Sequence, residues 1–442
     1  MSVSATDDVR ELAPNGEKPK GVVVLGPAWV ACGSYEVFRR QMECCRSLGF
    51  ETFFLAVGPT FAITESHAYW NGYYSQTKNL KADFRGHTGR SEKFWQKPEL
   101  VTELLPGVFR SAAFWKTVHS QLMDVPESLR TFIASHDVGT VICHHFFNVP
   151  LARKIVRLIP GAQLILETQD VQTRHYVSQG LRHPITRRIA QEDRMLCDEM
   201  RFSAYADILI HYNDVESEVF ARHLPQKRHI TVYPAFPRNY LKPLAEDKNK
   251  TYDFLLVASA NDPNYRSVKS FLEKVWLPYL DGKRHLRILG NIDWLFRQYN
   301  DPLVELPDVF VGMVTDLTPY YQLARCVVLP VLEGQGIAIK TVEALSYGKH
   351  VVAMPLAYRG FRDHVPPELA AEIVTDPQEF AVRLLACDSN TFALQQDSRT
   401  IALYEELFTV EKQTEIYRQL LTRGEARHND RNCNDGALEE SR

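Results

Sequence analysis

The densest group of side chains able to do chemistry lies in VLPVLEGQGIAIKTVEALSYGKHVVAMP, from Val328 to Pro355. An apolar run ends at Pro330–Glu333, and Gly334-Gln335-Gly336 opens a predicted helix whose first turn reads Ile337-Ala338-Ile339-Lys340. Free backbone N–H groups and the helix dipole make such a turn an anion site, and Lys340 adds a full positive charge. Glu343 follows three residues later on the same face, where a carboxylate can accept hydrogen bonds from sugar hydroxyls. One helix end thus offers a grip for phosphate and a grip for hydroxyls, the two requirements of a sugar joined to a nucleoside diphosphate. A surface ion pair between Lys340 and Glu343, worth a few tenths of a kcal/mol, is the plainer alternative.

Other candidates sit at the ends of apolar runs. His144 and His145 close VGTVICHHF; side chains alternate along a strand, so only one faces a cleft, and we assign His145. A buried, hydrogen-bonded histidine is the alternative for either. Asp170 ends AQLILETQD and is assigned a catalytic role, or else it caps the helix that follows. Gly33, beside Ser34 after the first apolar run, suits a close approach of backbone to phosphate or acceptor, or simply a tight turn.

These positions require a scaffold of strands and helices. GVVVLGP reads as a buried parallel strand, YEVFRRQMECCRSLG as a helix ended by Gly49, and FETFFLAVGP as the next strand. The rhythm resumes with VGTVICHHF, AQLILETQD, YADILIHYN and RHITVYPAF; a Pro- and Lys-rich linker follows near residue 240. A second series runs through TYDFLLVAS, LRILGN, PDVFVGMV, CVVLPVLEG and KHVVAMP. The expected class is α/β, with two Rossmann-like domains facing across a cleft. The expected limits are a disordered N-terminus at 1–19, domains at 20–240 and 250–398, a final helix at 399–423 crossing back to the first domain, and a disordered tail at 424–442. Residues 61–108 break the rhythm and read as an excursion with its own role rather than part of the sheet.

Composition narrows the class further. The 442 residues are 45% hydrophobic and 24% charged, an ordinary globular balance, and the net charge of −3 does not describe a polycation for nucleic acid. Eight cysteines without a CxxC pair suggest a reducing, cytoplasmic setting rather than a disulfide framework or zinc ribbon. No apolar window is long enough to span a membrane, and the N-terminus lacks the pattern of a signal peptide. A phosphate loop of the GxxxxGK[ST] type, GxGxxG after the first strand and GxSxG are all missing. No Asp-x-Asp ends a strand and no cysteine or histidine cluster has ligand spacing, so no metal is expected. Lys78, Lys81, Arg85, Arg90, Lys93 and Lys97 alternate with aromatic residues, and Arg182, His183, Arg187 and Arg188 form a second basic group. Docking on an anionic membrane face or a lipid diphosphate is one reading; a solvated surface loop is the other.

The Val328–Pro355 segment resembles the glycine-rich donor signature of the retaining glycosyltransferase family 4 group, which has the two-domain GT-B fold. Gly334, Gly336, Lys340, Glu343, Ala344 and Gly348 fall in register with it, whereas Gln335 replaces a glycine and Ile337-Ala338 replace small-polar and basic residues. The resemblance runs from about Gly21 to Leu421. It implies donor-side roles for Gly334, Gly336, Ile337, Lys340 and Glu343, for Asn264 and Arg266 with Lys269 beside them, and for Gly290, where the donor base packs. Helix capping and solvent exposure are the alternatives at residues 264–269. The resemblance extends to ILETQDVQTR, where Asp170 and Arg174 match and Gln169 stands in a histidine's place. EMRFSAYADILIHYNDVESEVF reads as structural. The implied reaction is transfer from a nucleotide sugar, without added cofactor, to a glycan, lipid-linked or other hydroxyl acceptor in polysaccharide or glycoconjugate synthesis, with retention and without metal. Two rival readings are an epimerase of nucleotide sugars and a non-catalytic GT-B protein that binds a saccharide or a partner.

Overall fold

The computed structural model describes residues 18–27, 33–57, 86–89, 111–174, 177, 191–243, 252–387 and 396–422. Seven strands form the first sheet: β1 (Lys20–Gly26), β2 (Glu51–Val57), β3 (Gly86–Gly89), β4 (Asp137–His144), β5 (Gln163–Glu167), β6 (Ile208–His211) and β7 (Arg228–Thr231). Their order is β3-β2-β1-β4-β5-β6-β7, and every pairing is parallel. A second parallel sheet contains β8 (Tyr252–Val257), β9 (Leu286–Leu289), β10 (Phe310–Gly312), β11 (Ala324–Leu329) and β12 (His350–Ala353), in the order β10-β9-β8-β11-β12. The α/β expectation holds. Parallel strands covered by helices on both faces must be apolar throughout; in β1, Val22 to Leu25 are fully buried, and in β4 burial runs unbroken from Val138 to His144.

In both sheets the chain reverses winding beside the first strand, between β1 and β4 and between β8 and β11. Ligand crevices of open parallel sheets form outside the carboxyl ends of strands at such points. The loop after β11 emerges at such a point, and the loop after β5 one strand away from the other, beyond β4.

Two expectations are corrected. The stretch 61–108 contributes β3, whose Gly86–Gly89 pairs with Phe54–Val57 at the sheet edge. GHTG has no alternation of apolar residues, so the sequence carries no strand signal there. The rest of that stretch, including the Lys78–Lys97 basic group, lies outside the described residues, as do Arg182 to Arg188, the first 17 residues, residues 244–250 of the linker and the tail after 422.

The final helix is two. Ser398–Leu407 ends at Phe408, and 410–422 begins after Thr409. At the break Phe236 pairs with Thr409 and donates its N–H to the Phe408 carbonyl at 3.1 Å, which takes that carbonyl out of helical bonding. The first piece holds the connecting segment: the Tyr404 hydroxyl donates to the Phe236 carbonyl at 2.6 Å, and Arg238 binds Glu405 through two nitrogens at 2.7 and 2.9 Å. The second piece lies against the first sheet, where Gln163 donates to the Leu420 carbonyl at 2.8 Å and Gln41 to the Tyr417 hydroxyl at 2.7 Å. One apolar cluster accordingly runs from Val22, Phe38 and Ile165 through Tyr212, Phe236, Tyr404 and Tyr417 to Leu255, Val342 and Val351. No helix among the described residues is long and apolar enough to cross a membrane.

Candidate functional site

The loop after β11 leaves the second sheet at Pro330, turns through its two glycines and enters the helix Ile339–Ser346. The helix starts two residues later than its sequence suggests, with Ala338 as its N-cap. Alanine has no side-chain acceptor, so the first turn has no side-chain cap. Ile337 and Ala338 are buried, and Ile337 belongs to the apolar cluster. Apolar side chains at these two positions thus anchor the loop.

Lys340 and Asn264 meet: the Lys340 amine donates to Asn264 Oδ1 at 2.7 Å. Asn264 belongs to the helix Asp262–Phe271 after β8, capped by Asn261, whose side chain accepts the Asn264 N–H at 2.9 Å. The Asn264 amide also donates to the Ser259 carbonyl at 2.9 Å, so its oxygen faces the lysine. Burial, helped by the neighbouring Arg359, lowers Lys340 to about 8. Glu343, half-buried, accepts the Tyr321 hydroxyl at 3.0 Å, and Tyr321 stacks on Tyr347 with ring centroids 4.3 Å apart. Arg266 forms a bidentate pair with Glu333, a residue whose role the sequence leaves open. Gly290, at φ 104°, presses on β8: a Cβ there would lie 2.1 Å from the Ala258 carbonyl oxygen. Only glycine fits that crossing.

The first sheet meets this loop with carboxylates. The Gly336 N–H donates to Glu216 Oε1 at 3.1 Å, and a Cβ on Gly336 would sit 3.4 Å from both the Asp170 Cβ and the Gln169 carbonyl oxygen. Glu216 is fixed by Asn213, which accepts the Glu216 N–H at 2.9 Å and donates to its carboxylate at 3.0 Å. Asp170 receives the Gln172 side-chain amide. The backbone N–H groups of Gln172 and Thr173 go instead to Glu199, at 3.0 and 2.8 Å, so Glu199 caps the segment that Asp170 precedes. Burial raises Asp170 and Glu216, and the nearby Asp170 carboxylate raises Glu216 further. Glu199 rises to about 7, also by burial.

Arg359 faces these acids from the second sheet. Its Nε donates to the Gln335 carbonyl at 3.1 Å and its Nη1 to the Leu356 carbonyl at 3.0 Å. Burial lowers it to about 10, against the upward pull of Glu216 and Asp170. The site thus has a cationic wall of Lys340, Arg359 and an uncapped helix end, opposite an acidic wall of Asp170 and Glu216.

The remaining candidates lie elsewhere or are engaged otherwise. His145 is buried with its ring stacked on Phe147 at 4.8 Å. Strand alternation fails at this pair, because β4 stops at His144 and His145 takes φ 64°. His144 joins the polar network instead: its Nδ1 pairs with the Gln169 amide at 2.8 Å and its Nε2 with Gln41 at 2.8 Å. Glu167 lies at the centre of that network, bonded by Tyr212, Tyr417 and Gln41 and raised to about 7 by burial. Arg174 is exposed. Gly33 is the first residue of the helix Gly33–Ser47, and the turn before it lies outside the described residues. Sequence reasoning missed Glu199, Glu216 and Arg359. The spacing Asn213-x-x-Glu216 signals a helix start, but nothing local says that it touches Gly336.

Residues 251–390 match the family described as Glycosyl transferases group 1. Among curated proteins no sequence match was found. Sucrose-phosphate synthase from Thermosynechococcus elongatus superposes with a TM-score of 0.59 at 15% identity, over 91% of this chain and 99% of that one. HepE of Anabaena in complex with UDP-glucose gives 0.56 at 13% identity, over 91% and 99%. A trehalose-6-phosphate protein from E. coli bound with UDP-2-fluoro glucose gives 0.51 at 10% identity, over 92% and 99%. These likenesses show the fold: it is the two-sheet GT-B arrangement.

Proposed function

We propose that the protein is a glycosyltransferase that takes its sugar from a nucleoside diphosphate sugar. The observation that carries this reading is the meeting of Lys340, Asn264 and the uncapped start of Ile339–Ser346 with Asp170 and Glu216 across the two sheets. The match at residues 251–390 spans every donor-side residue named, and the superposed structures that hold UDP-glucose and UDP-2-fluoro glucose support a donor of that class.

In this reading the diphosphate sits at Lys340 and the helix end, with Arg359 behind, and Glu343 takes the nucleotide ribose. The leaving diphosphate gains negative charge as the glycosidic bond breaks, and cations already fixed in a poorly solvated site stabilise it without reorganising. Asp170 lies where it can bind sugar hydroxyls. Transfer proceeds with retention and without a divalent ion in the leaving-group site, to a glycan or lipid-linked hydroxyl, with the membrane surface as one place of work. Arg266 is available to the donor once it leaves Glu333, and Arg174 and Gly33 belong to the acceptor side.

A panel of nucleotide sugars, assayed with and without divalent ions, tests the reading. Slow donor hydrolysis, or transfer to water and simple acceptors, is expected in both conditions. Interconversion of sugars would make the protein an epimerase, and inert binding a non-catalytic one. Turnover that stops without magnesium or manganese and returns on their addition would overturn the metal-free leaving-group site.

A further inference from the structure

The second sheet carries another group of functional side chains, away from the donor loop. Cys326 on β11 and His350 on β12 are register partners in adjacent parallel strands, so they share one face. Cys387, just past the helix Pro377–Ala386, completes the group, and all three residues are buried. Their sulfur and nitrogen atoms lie within 4.8 Å of one another. Linear spacing of 24 and 37 residues hides this convergence, so no ligand spacing is visible in the sequence.

We infer that Cys326, Cys387 and His350 bind a zinc ion that ties β11, β12 and the end of the helix Pro377–Ala386 together. Two thiolates and an imidazole are the soft and borderline donors that zinc selects. Around a tetrahedral zinc with bonds of about 2.3 Å to sulfur and about 2.0 Å to nitrogen, ligand atoms lie about 3.5–3.8 Å apart. Atoms already within 4.8 Å reach that spacing by small side-chain adjustments. The Cys387 thiol donates to the Arg383 carbonyl at 3.3 Å and the Cys326 thiol to the Val327 carbonyl at 3.5 Å. Zinc binding would release both thiol protons to solvent, and two thiolates plus Zn²⁺ bury no net charge.

A second observation points the same way. Asp397 Oδ2 lies 3.2 Å from His350 Nδ1, the outer carboxylate that commonly fixes a metal-binding imidazole with its far nitrogen toward the ion. Asp397 is itself held by Arg399, whose Nη2 donates to it at 2.7 Å and lies 3.2 Å from His350 Nδ1, so the carboxylate's charge is balanced.

The test uses the full chain, purified reduced, equilibrated with zinc and exchanged into metal-free buffer. One zinc per chain is expected by elemental analysis, with two sulfur neighbours in its X-ray absorption spectrum. Cobalt in its place should give a thiolate-to-cobalt charge-transfer band that disappears in Cys387→Ser. Asp397→Asn, which keeps the ligands, should weaken zinc binding about 10–100-fold. Substoichiometric zinc in the reduced wild type would overturn the inference. Full retention of zinc by a folded Cys326→Ser, Cys387→Ser chain would do the same. If the double variant fails to fold, the wild-type stoichiometry and the Asp397→Asn affinity still decide. Donor turnover is not read in this experiment, so its failure leaves the glycosyltransferase reading intact.

Discussion

Replacing Lys340 by Met should separate a donor-binding role from a structural one, because the two predict opposite signs. Lys340 falls from 10.5 to about 8 on folding, since its ammonium loses water and faces Arg359. Holding the charged form in the fold therefore costs on the order of 3 kcal/mol as an upper figure. The sign follows directly: below about pH 8 the folded protein carries this cost in full, and it fades as pH rises toward 10.5. A diphosphate beside the amine restores the charged form's environment, so nucleotide binding takes up a proton above about pH 8. Affinity for a nucleoside diphosphate should be level below that pH and fall by up to about tenfold per unit above it. Lys340→Met should remove the slope and weaken binding near neutrality by about 1–3 kcal/mol, or about 5- to 150-fold, while leaving Tm unchanged or raised. Calorimetric titrations in buffers of different ionisation enthalpy measure affinity and proton uptake together. Equal slopes in both proteins, or a variant that binds normally but melts early, would refute the argument.

Three further outcomes can be checked by melting and binding curves. Gly360→Ala should lower both Tm and donor affinity, because Gly360 has φ 87° and its Cβ would lie 2.8 Å from the Asn213 Cβ, prising apart the loops that hold Glu216 and Arg359. Tyr417→Phe should destabilise the fold by about 1–3 kcal/mol by withdrawing a hydroxyl from the buried Glu167; an unchanged melting curve would show that the final helix is not clamped there. Stability should rise as pH falls from about 7.5 to 6.5, because Glu167 and Glu199 are raised to about 7 in the fold and so bind protons that the unfolded chain does not. Below about 6.5 the gain should be opposed by His144 and His211, which burial holds neutral.

What the sequence determines is local. Continuous apolar runs such as VVVL and CVVL can be satisfied only by strands covered on both faces, so both parallel series are legible in it. Glycines, Lys340 and Glu343 at helical spacing mark this helix end as a candidate anion site. The tertiary structure decides what meets that end. Asp170 and Glu216 reach Gly336 from 166 and 120 residues away, because strand order brings the loops after β5 and β6 to the crevice. The same ordering sets Cys326 beside His350 by strand register and turns one long apolar segment into two helices by pairing Phe236 with Thr409. Periodicity records which face of an element is buried, not which other element covers it. The partners of Lys340, Glu167 and Cys387 are therefore consequences of topology, and only the folded chain displays them.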